Sequence, residues 1–237
     1  MEKLFFDDHP EFLETSKTAS SRDRLNLRYL GLIAEHADVL SGARVLDIAS
    51  HDGRWSFAAL KAGASHVTGI EGRRYLVANA RRTLAAKGIE GSRFRFIHGD
   101  AHDKLTPRLG KFDVVMCLGF LYHTLRYAEL FAGIRATEAR HVIIDTLVTP
   151  GTEGVVKLMD NPNQVESMAV ADRLSYKGRS LVGTPDEAAV VQMLDTYGYE
   201  VQSQPDWAGI RSRHPDLTGS LQYERRERVA MLAVSRD

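Results

Sequence analysis

A chain of 237 residues, 43% hydrophobic and 26% charged, has the size of one large globular domain with additions and can bury a substantial core. Its 31 basic and 31 acidic residues cancel, which excludes an overall field that would draw it to nucleic acid or to an anionic membrane surface. One cysteine cannot close an internal disulfide, and no apolar run has the length of a membrane span or a signal peptide, so the expectation is a soluble, cytoplasmic protein.

The opening, to about Ser21, is polar and irregular apart from Leu4-Phe5-Phe6. Residues 24–33 carry apolar side chains at helical spacing and predict a helix beside the first strand, so residues 1–40 read as an N-terminal helical cap. Arg44-Val45-Leu46-Asp47-Ile48 is a strand with an acid near its end; Ala49, Ser50, His51, Asp52 and Gly53 form a turn, and a helix over 55–62 follows. Val67-Thr68-Gly69-Ile70 is a second strand with Glu71 at its tip, followed by Gly72 and a helix over 75–87. A third strand runs through Phe94-Arg95-Phe96-Ile97-His98 to Asp100 and Ala101, with a helical piece over 103–109. The fourth, over 112–119, leads into Phe120-Leu121-Tyr122-His123 and a helix over 127–137; the fifth, over 141–146, closes on Asp145. Short strands apolar on both faces, alternating with helices, imply a parallel sheet covered on each side.

Residues 148–183 break this rhythm and are too long for an ordinary connection, which predicts a lid or substrate insertion. Thr184-Pro185-Asp186-Glu187 then reads as a helix start with Thr184 as its cap, and Gly198 as the stop. Val201 begins a sixth strand, and residues 228–234 form the last. No repeat, low-complexity tract or linker divides residues 1–237, which read as a single domain.

A strand closing on an acid, a small-residue turn and a helix start prepare a nucleotide-like site. A dinucleotide pyrophosphate wants Gly-x-Gly-x-x-Gly at that turn; this chain offers only Gly53, which suits a ligand without phosphate but with an amino group and a sulfonium. Glu71 can accept both hydroxyls of a ribose. On these residues the chain resembles the class I S-adenosylmethionine-dependent methyltransferases, whose first motif usually reads acid-x-Gly-x-Gly-x-Gly; here Ala49 and His51 stand in place of the first two glycines. The resemblance covers about the central half of the chain. It implies a Rossmann-like doubly wound α/β fold with a seven-stranded sheet in the order 3-2-1-4-5-7-6, strand seven antiparallel. It also implies S-adenosylmethionine as cofactor, contacted by Asp47, Ala49, Ser50, His51, Gly53, Glu71, Gly72, Asp100, Ala101 and Leu118, with Asp100 on the exocyclic amine of adenine.

Methyl transfer to a hydroxyl needs alignment and a proton acceptor at the carboxyl edge of the sheet. His123, directly after the fourth strand, is the first candidate base, and Asp145 the second, either to orient the base, to hold a substrate hydroxyl or to bind a metal. Some O-methyltransferases use a divalent ion; Mg²⁺ here would fall to Asp145 with lid carboxylates such as Asp172, Glu166 or Asp160, although the fourth strand ends in Cys117-Leu118-Gly119 where those enzymes commonly have an acid. Cys117 reads as a buried small hydrophobe, Trp55 as packing of its helix, and Arg22, Arg24, Asn26 and Arg28 as a solvated helix face whose alternative role is to grip a methionine carboxylate. The lid is rich in carboxylates and amides and short of aromatics, so Tyr122, Glu166 and Arg173 are expected to meet a polyol better than a flat ring. The expected activity is O-methylation of a hydroxylated small molecule such as a sugar or short mannoside glycan of polysaccharide biosynthesis. Gly119-Phe120-Leu121-Tyr122-His123 is also similar to the Gly-x-Leu-Tyr-His of enzymes that carboxymethylate the wobble hydroxyuridine of tRNA, a polyanion that zero net charge does not favour. A non-catalytic partner subunit that keeps the fold is the third reading, motivated by the altered glycines, and a homodimer is a family-level expectation.

Overall fold

The computed structural model describes residues 3–14, 22–162, 174–217 and 221–237. Strands β1 (Arg44–Ile48), β2 (His66–Glu71), β3 (Phe94–His98), β4 (Val114–Leu118) and β5 (His141–Leu147) run parallel in the order β3-β2-β1-β4-β5. The sheet is completed by β9 (Arg228–Ser235), antiparallel to β5, and β8 (Tyr199–Ser203), antiparallel to β9. With β8 and β9 as the sixth and seventh strands of this sheet, the arrangement is the expected 3-2-1-4-5-7-6. Strand order reverses between β1 and β4, which opens a crevice at their carboxyl ends.

Helices α3 (Arg54–Lys61), α4 (Arg74–Ala86), α5 (Ala101–Lys104) and α6 (Tyr127–Arg135) make the crossovers. Two-residue alternation along each strand divides the core in two. Val45, Val114, Met116 and Ile143 face one cluster, with α1 (Arg22–Leu32), α3 and α8 (Trp207–Arg213), while Leu46, Val115, Cys117 and Ile144 face the other, with α6 and α7 (Glu187–Thr196). By the same parity Asp47 and Asp145 share the face of Val45 and Ile143. The Asp145 carboxylate therefore points toward elements that enter from the two ends of the chain, and that of Asp47 toward α3.

Several elements depart from expectation. The polar opening is tied down by aromatics: Phe6 and Phe12 are fully buried, Phe5 stacks on Tyr29 at 4.3 Å, and Phe6 meets Trp55 edge-on at 5.6 Å. Between α1 and β1 lies α2 (Ala37–Leu40), a single turn. The piece expected over 103–109 is split into α5 and a 3-10 turn at Pro107–Leu109, because Pro107 lacks the N–H that would continue a helix. Within the insertion, β6 (Val156–Pro162) and β7 (Arg179–Pro185) pair as an antiparallel hairpin. Because Thr184 and Pro185 are used in that ladder, Thr184 does not cap α7. Asp186 does, accepting from Ala189 N at 2.7 Å and also from Glu153 N and Gly154 N at 2.9 and 3.0 Å, which fastens the hairpin base to the helix. Helix α8 was not expected; Asp206 caps it through Gly209 N at 2.9 Å. Among the described residues no helix is long and apolar enough to cross a membrane.

The buried opening aromatics make a quantitative demand. Phe6→Ala should destabilise the protein by about 3–5 kcal/mol in urea unfolding, the cost of a large cavity in a packed core.

Candidate active site

A cavity of about 650 Å³ opens at the carboxyl edge, within the range of small-ligand sites. Its floor begins at the turn after β1. Ala49, His51 and Gly53 there have φ of 56°, 52° and 79°, alternate left-handed positions that cost the two non-glycine residues roughly 1–2 kcal/mol each. Three hydrogen bonds offset that strain: Ser50 N to Ile70 O at 2.9 Å, Gly53 N to Ser50 O at 2.9 Å, and His51 N to Glu71 Oε2 at 2.9 Å. Glu71 takes a further bond from Arg73 N at 2.9 Å on its other oxygen, so one carboxylate clamps the turns after β1 and β2 while lining the cavity. Gly53 is required twice, by its φ and because a Cβ would meet Phe96 at 2.9 Å.

Of the ten residues assigned to the cofactor, Ala49, His51, Glu71, Gly72, Asp100, Ala101 and Leu118 line the cavity, whereas Asp47, Ser50 and Gly53 lie behind the wall. Asp47 is fully buried and accepts from Ser56 Oγ at 2.6 Å. Burial pushes its pKa up to about 7, opposed by the Ser56 hydrogen bond and reinforced by the nearby Glu71 charge. Asp100 caps α5 and receives His102 N and His102 Nδ1 at 3.0 and 2.9 Å and Arg126 Nη1 at 3.0 Å. The bond from His102 is the main cause that draws its pKa down to about 2.

The turn after β4 closes as a 3-10 helix, Leu121–His123, with Leu121 buried. Tyr122 and His123 reach the cavity as expected, their rings 4.2 Å apart. His123 Nδ1 is buried with no hydrogen-bond partner among the described residues. Burial, then the fields of Arg73 and Arg228, lower its pKa to about 4, so the ring is neutral at physiological pH and able to accept a hydrogen bond.

Asp145, expected at the mouth of the site, is not among the residues that line the cavity. It is fully buried and accepts from Tyr223 OH at 2.6 Å, from Arg228 Nη1 at 2.7 Å and from Arg28 Nη2. Burial alone would raise its pKa, but Arg228 and Arg28 outweigh that and hold it below the ordinary carboxylate range. Two guanidiniums around one carboxylate repel a divalent ion, and among the described residues no group of three or more His, Cys, Asp or Glu could hold a metal. Asp160 is exposed on the hairpin and pairs with Arg179, while Glu166, Asp172 and Arg173 lie outside the described residues. Cys117 is buried, and burial followed by the charges of Asp47 and Asp145 pushes its thiol up to about 12.

Arg24 and Arg28, read first as a wet helix face and alternatively as a grip for a methionine carboxylate, line the cavity together with Arg228 from the first position of β9, which the sequence reading did not single out. Arg28 lies over the buried Trp55 ring at 4.9 Å and Arg228 over Tyr122 at 5.5 Å. The four-residue spacing of Arg24 and Arg28, which puts both on one helix face, was the available signal.

Residues 45–138 match the family of methyltransferase domains. Over 130 residues the chain is 30% identical to a tRNA U34 carboxymethyltransferase of Idiomarina loihiensis, covering 53% of this chain and 39% of that protein. Over 100 residues it is 32% identical to a ubiquinone biosynthesis O-methyltransferase of Cronobacter sakazakii, covering 42% of this chain and 40% of that protein. The matches thus span about two fifths of the length of these curated relatives. Among solved structures, the N-terminal domain of EvdMO1 with S-adenosylhomocysteine bound aligns over 93% of this chain and 84% of its own at a TM-score of 0.61 and 19% identity. Magnesium protoporphyrin IX methyltransferase of Synechocystis with bound S-adenosylmethionine aligns over 97% and 90% at 0.58 and 18%. The fold is that of these proteins.

If the Asp145 network is built as described, Tyr223→Phe, which removes one bond to a buried charge, should cost about 1.5–3 kcal/mol in chemical denaturation. The sign with pH follows from the lowered pKa of Asp145: this contribution is present above the unfolded-state pKa of about 4 and is lost as pH falls through the folded value, so the gap between Tyr223→Phe and the native protein should narrow in acid.

Proposed function

We propose that this chain is an S-adenosylmethionine-dependent methyltransferase acting on a hydroxyl oxygen of a small polar molecule. The observation that carries the reading is the Glu71 carboxylate, fixed by two backbone N–H groups at the tip of β2 and presented to a cavity at the strand-order switch. The donor set fits the cofactor: Glu71 suits the ribose hydroxyls, Asp100 and the N–H of Ala101 the adenine edge, and the turn from Ala49 to His51 the methionine portion. The match of residues 45–138 to methyltransferase domains and the neighbours solved with S-adenosylmethionine or S-adenosylhomocysteine support the same choice.

When bound, S-adenosylmethionine supplies a sulfonium methyl; the acceptor oxygen forms the new bond to carbon while the carbon–sulfur pair returns to sulfur. The chain's task is alignment, exclusion of water and removal of the hydroxyl proton. His123, whose neutral ring lines the cavity, accepts that proton's hydrogen bond. Tyr122 and the hairpin residues Ser180 and Leu181 bound the acceptor side. A sugar is one acceptor class, in keeping with an EvdMO1 domain structure obtained in the presence of S-adenosylhomocysteine and D-fucose. A second reading, group transfer to tRNA, is favoured by the 30% identity to the U34 carboxymethyltransferase and by Gly119 to His123.

Calorimetry with S-adenosylhomocysteine should show binding, weakened about tenfold or more in Glu71→Ala, equivalent to losing roughly 1.4 kcal/mol of hydrogen bonding. No detectable binding would leave the non-catalytic subunit as the better reading. A product-mass screen across sugars, sugar acids, phenols and tRNA separates the acceptors, since turnover confined to tRNA and falling steeply with salt selects the second reading.

For a responsive acceptor, His123→Ala should lower kcat by about 10²-fold. The native rate should show no His123 inflection between pH 6 and 8 and should decline only as pH falls toward the pKa near 4, where the ring gains a proton.

A further inference from the structure

We infer that His102 is a positioning residue that couples the adenine end of the cavity to the acceptor-side hairpin, through Thr124. This rests on the methyltransferase reading and deepens it. His102 is the second residue of α5, just beyond the tip of β3, and lines the cavity with its side chain only 5% exposed. Its Nδ1 lies 2.9 Å from Asp100 Oδ1, and its Nε2 lies 3.1 Å from Thr124 Oγ1 in the turn after β4. The ionised Asp100 carboxylate only accepts, so Nδ1 donates to it; in a neutral imidazole Nε2 is then left to accept the Thr124 hydroxyl proton. Thr124 Oγ1 in turn accepts from Arg126 N at 2.9 Å, and Arg126 Nη1 donates to Asp100 Oδ2 at 3.0 Å. The four residues close a circuit in which each bond fixes the direction of the next.

That circuit ends where the hairpin is held. Thr124 is buried, and its carbonyl accepts from Gly183 N of β7 at 3.2 Å, while Tyr127 OH donates to Gly183 O at 2.6 Å. A side chain at Gly183 would not fit, since a Cβ there would meet Leu125 Cδ2 at 2.6 Å and Tyr127 OH at 2.7 Å. Thr124 therefore serves both ends at once, its hydroxyl bonded to His102 and its carbonyl to the strand that carries Ser180 and Leu181 into the cavity wall. An adenine amine that donates to Asp100 adds a bond to the carboxylate from which the circuit hangs. Its effect then passes to the hairpin along ordered, mutually polarised hydrogen bonds.

The test uses the full chain, with S-adenosylhomocysteine as the ligand. Thr124→Val keeps the shape of the side chain but removes its hydroxyl, and should weaken S-adenosylhomocysteine about fivefold in calorimetry; Thr124→Ser should restore the affinity. In a His102→Phe background the same Thr124→Val change should have no further effect, because the two side chains act as one unit. Amide exchange reads the far end. Bound S-adenosylhomocysteine should slow exchange of the Gly183 N–H in the native protein and not in His102→Phe. The inference is overturned by a loss that Thr124→Ser does not restore, by equal effects of Thr124→Val in both backgrounds, or by Gly183 exchange that the ligand leaves unchanged or slows equally without the imidazole. Should His102→Phe not fold, exchange in Thr124→Val decides, and slowing that persists there overturns the inference. Failure of the native protein to bind S-adenosylhomocysteine sinks the methyltransferase reading and this inference with it, whereas binding without the coupling sinks the inference alone.

Discussion

The Asp145 carboxylate, sealed from solvent at the end of β5, accepts from Arg28, Arg228 and Tyr223 at once. These partners come from 117 residues before it and from 83 and 78 residues after it. An ion of that kind is tolerated in a low-dielectric interior only when every member is in place, since removing one partner leaves another buried and uncompensated. The arginine end of the cavity is therefore tied together at one carboxylate, which links the N-terminal helix α1 to the first residue of β9.

The other half of the site is built by different means. Around β1 to β3 the walls are backbone turns, and polar order comes from N–H groups donating to Glu71 and Asp100. Arg126, reaching Asp100 from the start of α6, ties this part to a later crossover. The arginine half, by contrast, draws on α1, β9 and the hairpin after β5, the elements outside the matched span of residues 45–138. Division of labour along the sheet thus follows the division of the chain into a common core and its additions.

That same division explains what could be read before any coordinates were known. Strands β1 to β5 and the acids near their tips were legible because apolar runs, closing residues and small-residue turns are local signals. Tyr122 and His123 were legible for the same reason, since the turn after β4 delivers whatever follows it to the crevice. Arg28 was misread because a helix face facing a cavity and one facing water carry the same composition, and only the position of Asp145 tells them apart. The role of Asp145 was misread in turn, since a carboxylate's function depends on neighbours that sequence separates by about half the chain. Thr184 illustrates a further limit: its capping pattern was genuine, but pairing across the hairpin claimed the residue first.

Cys117 carries a practical consequence. It is the chain's one cysteine, and it sits in the middle of the sheet with a thiol that stays protonated at any working pH. This chain is thus already a silent background for maleimide chemistry. A fluorophore or spin label attached through a new surface thiol, for instance on the hairpin formed by β6 and β7, would report from that point alone, with no need to mutate the interior.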